Sequence, residues 1–321
     1  MCTRPDYEAE LQAVLRSNPF TEELVKKWET DLKQFCDGSK DLSALSFVLP
    51  SDKDKVVAYQ QNDARRKKNY DSFLHPEILP QPFIGDPHAP VWLLLLNPGY
   101  SSPDIYDHLG ICPCCDRIMS AGDTRDVECM FGQGRDRFGE LQTRQRLMLN
   151  QLRLVGDLPF YILDQSFNNL PNNATYKKKG GYRWWRAVLF GVRGTENFLL
   201  HDCDVGEAPM LVGEKLFVLE SCPYHSKNFN SKVLWDGNKY TEFWKCLIAW
   251  AVRAGKKFIV RSSRVDQLLR YSDLDVNEGN SVHFSNVRNV TLTDRNLQGQ
   301  MSCEVARIFR RRTLPNARMI Q

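Results

Sequence analysis

Two hydrophobic runs end in residues able to do chemistry. Val91-Trp92-Leu93-Leu94-Leu95-Leu96 runs straight into Asn97-Pro98-Gly99, so a sharp turn leaves the Asn97 amide at the tip of a strand buried on both faces. Leu216-Phe217-Val218-Leu219-Glu220 leads into Ser221-Cys222-Pro223-Tyr224-His225-Ser226-Lys227-Asn228, which places a histidine, hydroxyls, a lysine and an amide at a second strand end. An Asn-Pro-Gly turn alone is a common structural element, and a lone histidine is often a hydrogen-bonded structural one. Two polar strand ends together point to a site.

The elements that must position these groups follow from periodicity. Strands are expected at Val91 to Leu96, Phe160 to Leu163, Leu216 to Glu220, Lys257 to Arg261 and Val287 to Leu292. Helical segments are expected between them at Gly139 to Leu154, Trp184 to Phe190, Tyr240 to Ala254, Val265 to Tyr271 and Leu297 to Phe309. This alternation predicts an α/β fold around a largely parallel sheet of four or five strands, with ligands beyond the carboxyl ends of the strands. Residues 1 to 80 read as an N-terminal helical extension, and residues 81 to 321 as the α/β domain with a Cys-rich insertion at about 101 to 140. In the extension, Asp6 to Ser17 forms one helix. Thr21 caps a second, with Leu24, Val25, Trp28, Leu32 and Phe35 at helical spacing and Cys36-Asp37-Gly38 as its stop. The polar run Asp52 to Asn69 is expected to cross the surface.

Composition narrows the class. The chain has 321 residues with 42% hydrophobic and 26% charged side chains, ordinary for a globular protein. No window approaches the roughly 18 apolar residues of a membrane span, and the start is not a signal peptide, so a cytoplasmic protein without a membrane partner is expected. The net charge of +4 is too small to attract polyanions generally, but it is unevenly spread. Lys177, Lys178, Lys179, Arg183 and Arg186 stand without an acid between Pro171 and Phe190, and six arginines face only Glu304 between Arg295 and Gln321. Such stretches fit either a nucleic-acid footprint or a solvated surface.

The residues Leu93-Leu94-Leu95-Leu96-Asn97-Pro98-Gly99 resemble a motif of the uracil-DNA glycosylase superfamily, in its mismatch-specific and single-strand-selective branches. There the asparagine positions the hydrolytic water. The resemblance covers about Phe83 to Arg312 and implies a three-layer sandwich. The family's second motif, His-Pro-Ser-Pro followed by a pair such as Arg-Asn, is matched only by Arg295-Asn296, after Val290-Thr291-Leu292-Thr293-Asp294. The leaving-group histidine is therefore absent from its usual place, and His225 is the expected substitute. Gly85-Asp86-Pro87-His88 superficially resembles the family's Asp-Pro-Tyr-His motif but precedes the strand, and no catalytic role is assigned to it.

The resemblance implies a monofunctional DNA glycosylase that hydrolyses an N-glycosidic bond, leaves an abasic site and requires no cofactor. Asn97 then orients water toward the sugar carbon, while His225, or alternatively Tyr224, donates to the departing base, a charge-assisted bond being worth about 1.5–3 kcal/mol. The base must be flipped from duplex DNA, so an aromatic face and backbone-gripping cations are needed. Tyr100 is the expected stacker, with Tyr224, Ser226 and Asn228 beside the substrate. Lys177, Lys178, Lys179, Arg183, Lys227, Arg295 and Asn296 are the expected DNA contacts. The stretch Lys177 to Arg186 interleaves cations with aromatics as a wedge loop does, or else its tryptophans pack inward. Lys227 acting as a Schiff-base nucleophile is a less favoured bifunctional alternative.

Four of the ten cysteines fall between Cys112 and Cys129. Cys112, Cys115, Cys129 and His108 are either the ligands of a structural zinc or part of a set of reduced thiols. The insertion is acidic, with eight acids against four bases from Ser101 to Glu140, which suits shaping a base pocket better than tracking phosphate. With the altered second motif, its length favours a bulky modified pyrimidine, best exemplified by glucosylated 5-hydroxymethylcytosine in phage DNA, which some relatives remove in bacterial defence. The alternatives are repair of uracil or another deaminated base, and a module that binds modified DNA without cleaving it. A metal-dependent nuclease is disfavoured because no clustered carboxylates are visible to hold magnesium. No obligate protein partner is evident.

Overall fold

A computed structural model describes residues 6–61, 74–99, 143–163, 185, 188–189, 208–226, 238–284, 292, 297–298 and 302–310. Six strands form one mixed sheet: β1 Phe83–Ile84, β2 Val91–Leu95, β3 Leu216–Glu220, β4 Lys257–Val260, β5 Ser281–Phe284 and β6 Leu297–Gln298. Their order is β1-β3-β2-β4-β5-β6. The four middle strands run parallel, and β1 and β6 close the edges antiparallel. The protein is thus α/β with a sheet that is parallel only in its interior. Every residue of β2 and β3 is buried. Since successive side chains point to opposite faces, the centre of the sheet is covered on both.

The helices among the described residues are α1 Tyr7–Leu15, α2 Glu22–Cys36, α3 Lys53–Gln61, α4 Thr143–Arg153, α5 Ala208–Lys215, α6 Lys239–Arg253, α7 Ser263–Tyr271 and α8 Ser302–Arg310. None is long and apolar enough to cross a membrane. Their starts are chemically marked: Asp6, Thr21, Asn238 and Ser262 each accept a bond from the backbone N–H three residues on, the usual N-terminal cap. In α2 the expected stripe is realised, with Val25, Trp28, Leu32 and Phe35 buried. Gly38, at φ +79°, follows the end of that helix in a conformation suited to glycine.

Aromatic contacts show how α6 covers one face of the sheet. Trp250 packs on Trp92 at 5.9 Å between ring centroids, and Phe243 meets Phe83 edge-on at 5.8 Å. The N-terminal helices join the same core. Trp250 Nε1 donates to Tyr7 O at 2.8 Å, Asn18 Nδ2 donates to Leu152 O at 2.8 Å, and Phe20 stacks edge-on against Phe83. Gly85 is required where it stands. Its φ is +90°, and an added Cβ would lie 2.4 Å from Leu216 O.

Four expectations need correction. Phe160 to Leu163 is not a strand: Tyr161–Leu163 is a 3-10 turn, and Phe160 N bonds to Pro209 O rather than to the sheet. The strand beside β4 is Ser281–Phe284, earlier than the expected Val287 to Leu292, most of which lies outside the described residues. Leu297 and Gln298 pair as β6, so the last helix starts at Ser302. The polar run from Asp52 does not simply cross the surface, because Asp52 is fully buried and Lys53–Gln61 is helical. Of the segment from Trp184 to Phe190, Trp185, Val188 and Leu189 are described, helical and buried. Trp185 packs inward on Phe160 at 4.9 Å.

Candidate active site

The parallel strands, taken in chain order, lie second-first-third-fourth across the sheet. After β2 the chain crosses to β3 on one side, and it later continues through β4 on the other. That reversal is a topological switch point, and in open α/β sheets the ligand crevice opens beyond the carboxyl ends of the strands there. β2 and β4 flank it, and Asn97 stands two residues past the end of β2.

The β2 and β3 strand ends are sewn together. Leu95 lies opposite Glu220 in parallel register, and the ladder continues as Ser221 N and Cys222 N donate to Leu95 O and Leu96 O, each at 2.9 Å. Ser221 Oγ adds a bond to Leu96 O at 2.6 Å. The turn carrying His225 is thereby held against the turn carrying Asn97. The segment 74–82 braces it from behind, with His75 N donating to His225 O at 3.1 Å and Gln81 N to Pro223 O at 2.8 Å.

Asn97 is half-buried, and its amide nitrogen donates to Pro98 O and Ser226 O at 2.9 Å each, with Ser226 Oγ at 3.4 Å. Two carbonyl acceptors settle the orientation, because turning the amide over would aim its oxygen at both. The nitrogen is committed to the framework. Oδ1 is left as the group that can accept from a water molecule. Ser226 is buried and serves this arrangement through its backbone, its own N–H donating to Pro98 O at 3.2 Å.

His225 joins the same turn from the other side, its Nδ1 lying 2.9 Å from Gly99 O. A carbonyl partner requires that Nδ1 carry the proton. The ring is 2% exposed, and burial pushes its pKa down to about 4 although the carbonyls of Gly99 and Leu79 favour the cation. The structure therefore holds the turns of Asn97 and His225 against each other, and burial disfavours the charged form of the expected donor. At neutral pH His225 is an uncharged clasp on the Asn-Pro-Gly turn.

Tyr224 points inward. Its hydroxyl donates to Asp52 Oδ2 at 2.7 Å and accepts from Leu49 N at 3.1 Å, deep in the protein. It ties the start of α3 to the back of the site. Behind His225 lies a second buried histidine, His75, whose Nδ1 is 2.7 Å from Glu77 Oε1. Asp52, His75, Glu77, Glu220 and Arg261 are charged or titratable members of this region that sequence reasoning did not assign. Their signal in the sequence is slight: an acid ending an apolar strand, an arginine ending another, and polar residues in a Pro-rich entry.

The remaining expected site residues, Tyr100, Lys177, Lys178, Lys179, Arg183, Lys227, Asn228, Arg295 and Asn296, lie outside the described residues. So do His108, Cys112, Cys115 and Cys129 of the expected zinc site. No cluster of three metal-ligating side chains occurs among the described residues. His88 of the Gly85-Asp86-Pro87-His88 segment sits before β2, at the end of the strand opposite Asn97. Its ring nitrogens lie 2.7 Å from Asp86 Oδ1 and 2.9 Å from Glu8 Oε2. Compared with protein-family models, curated proteins and solved structures, the chain matches none.

Proposed function

We propose that this protein is a monofunctional DNA glycosylase that hydrolyses the N-glycosidic bond of a bulky modified pyrimidine, on a three-layer fold of the uracil-DNA-glycosylase kind. The reading rests on one observation: the Asn97 amide nitrogen is locked by Pro98 O and Ser226 O at the carboxyl end of a central parallel strand. A fixed carbonyl oxygen beside a ligand crevice is what an attacking water needs. The water accepts its orientation from Oδ1 and adds to the sugar carbon as the base departs, without a metal. Ser226 and His225 hold the turn that carries the amide, so their part is to keep Oδ1 in place. The basic stretches at 177–186 and 295–318 supply the grip on the DNA backbone in this reading, and the length of the insertion after Gly99 in the sequence is what favours a large base.

Replacing Asn97 with Ala separates a catalyst from a module that only binds modified DNA. A catalyst loses base release by on the order of a hundredfold or more while its affinity for the same duplex stays within about threefold. Unchanged release by Asn97→Ala overturns the reading.

A further inference from the structure

The departing base needs a donor, and His225 is uncharged and bound to Gly99 O. Glu220 is the better-placed acid. It is the last residue of β3, directly beside Leu95 in the register, and only 4% exposed. Because side chains alternate along strands and match between paired ones, Glu220 shares a face with Leu95, Leu93 and Val218, opposite the face on which Trp92 and Phe217 meet each other and Trp92 meets Trp250 of α6. Arg261, one residue past β4, continues the same face on the other side of β2, its N–H donating to Leu94 O at 3.3 Å. The two therefore flank the tip of β2 and the switch point. Glu220 Oε2 is buried with no hydrogen-bond partner among the described residues. A buried polar atom in that state has a partner still to come or carries a standing cost.

Burial, only partly offset by Arg261, holds the Glu220 carboxyl well above the usual carboxylate range, which favours the protonated form. Two other titratable groups lie near it. Cys222 is a buried thiol with its own pKa raised, and the Tyr240 hydroxyl donates to the Glu220 backbone carbonyl.

We propose that Glu220 is the general acid of the site and that it selects an aminopyrimidine, a base with a ring N3 acceptor beside an exocyclic amine. This rests on the glycosylase reading. A neutral carboxyl matches that edge on both atoms: one oxygen accepts from the amine, as acidic side chains do with cytosine N4, and the O–H donates to N3. As the bond between the base and C1′ breaks, its electron pair goes to N1 and the Glu220 proton passes to N3. The base then leaves neutral rather than as an anion. Water adds to C1′ and releases its proton to solvent, and the Glu220 carboxylate regains one from solvent. Uracil already carries hydrogen on N3, so this transfer is closed to it.

The test is single-turnover base release from matched duplexes carrying 5-hydroxymethylcytosine, its glucosylated form, the 3-deaza counterpart of 5-hydroxymethylcytosine and uracil. With wild-type protein, release of the aminopyrimidines is expected, and replacing N3 by carbon should slow it about a hundredfold or more. Glu220→Gln should lose a similar factor on the aminopyrimidines, keep its DNA affinity and show little further loss on the 3-deaza duplex. The 3-deaza comparison uses unaltered protein, so undiminished release there overturns the proposal even if Glu220→Gln folds poorly. Undiminished release of the 3-deaza base, release of uracil alone, or a folded Glu220→Gln within about threefold of wild type overturns the role of Glu220. In those cases the glycosylase reading stands, provided Asn97→Ala is inactive. If wild-type protein releases no base from any duplex, that reading falls, and this inference with it.

Discussion

Asn97 Nδ2 and the Ser226 carbonyl oxygen lie 2.9 Å apart, a contact between residues 129 positions apart that joins the turns after two neighbouring parallel strands. It commits the nitrogen end of the amide to the framework and leaves the Oδ1 end for the proposed water. An aspartate at position 97 would aim a carboxylate oxygen at two carbonyls, so Asn97→Asp should be nearly as inactive as Asn97→Ala while adding a destabilisation that Asn97→Ala lacks. Paired rate and thermal-melting measurements check this. An Asn97→Asp protein with wild-type release would show that the amide hydrogens are not what holds the group.

The Tyr224–Asp52 pair should behave as structure rather than as chemistry. Tyr224→Phe leaves both the Leu49 N–H and Asp52 without their buried partner, at a cost of about 1–3 kcal/mol. The melting temperature should fall by several degrees, while base release by the folded fraction stays within a few fold. A large loss of release with no change in melting would return Tyr224 to the substrate.

His225 should titrate far from the ordinary histidine range. With burial dominant, its midpoint is expected at about 4, and at pH 7 the ring should be the neutral Nδ1-protonated tautomer. Nitrogen-15 shifts of the imidazole read both properties. A midpoint near 6.5 or above would restore the charged donor that the residue type alone suggests.

The clasp at the opposite end of β2 should depend on pH with a definite sign. The hydrogen bond to Asp86, with a smaller one to Glu8, raises the His88 pKa despite partial burial. Its contribution to stability is therefore complete below the unfolded value of 6.5 and is lost as pH rises through the raised folded value. Glu8 is lowered, chiefly by Gln12 and then by His88. For Asp86, burial alone would raise the pKa, but His88 bonds outweigh it and lower it. Their contributions are present above the unfolded values of 4.5 and 3.8 and are lost as pH falls through the depressed ones. The melting difference between wild type and His88→Gln should be widest between about pH 4.5 and 6.5 and should shrink toward pH 9. A difference that grows with pH contradicts this geometry.

Much of the frame was legible in the residues. Strand β3 matches its expected span and β2 falls one residue short of its own, because each is a continuous apolar run interrupted by a polar or Pro-containing turn. Helices α2, α6 and α7 announce themselves through caps and spacing. Phe160 to Leu163 is equally apolar, but a run of four between Pro159 and a polar stretch suits a buried 3-10 turn as well as a strand, and pairing partners decide which forms. Ser281–Phe284 is short, with an exposed His283 in its middle, and gives little apolar signal of its own. In the site, Asn97 stood out because its turn is distinctive. Asp52 could not be read as a partner of Tyr224 across 172 positions, and Glu220 looked like the polar end of a strand until the register set it beside Leu95. The charge state of His225 depends on burial, which residue type does not carry.

The central claim is tested most directly by incubating wild-type protein and Asn97→Ala with matched duplexes containing cytosine, uracil, 5-hydroxymethylcytosine and glucosylated 5-hydroxymethylcytosine, then assaying free base and alkali-labile sites. The account predicts free base and an equal yield of abasic sites from at least one modified duplex with wild type. With Asn97→Ala it predicts neither, although that variant still binds the same DNA. Strand scission without free base, or base release that survives the loss of Asn97, would contradict it.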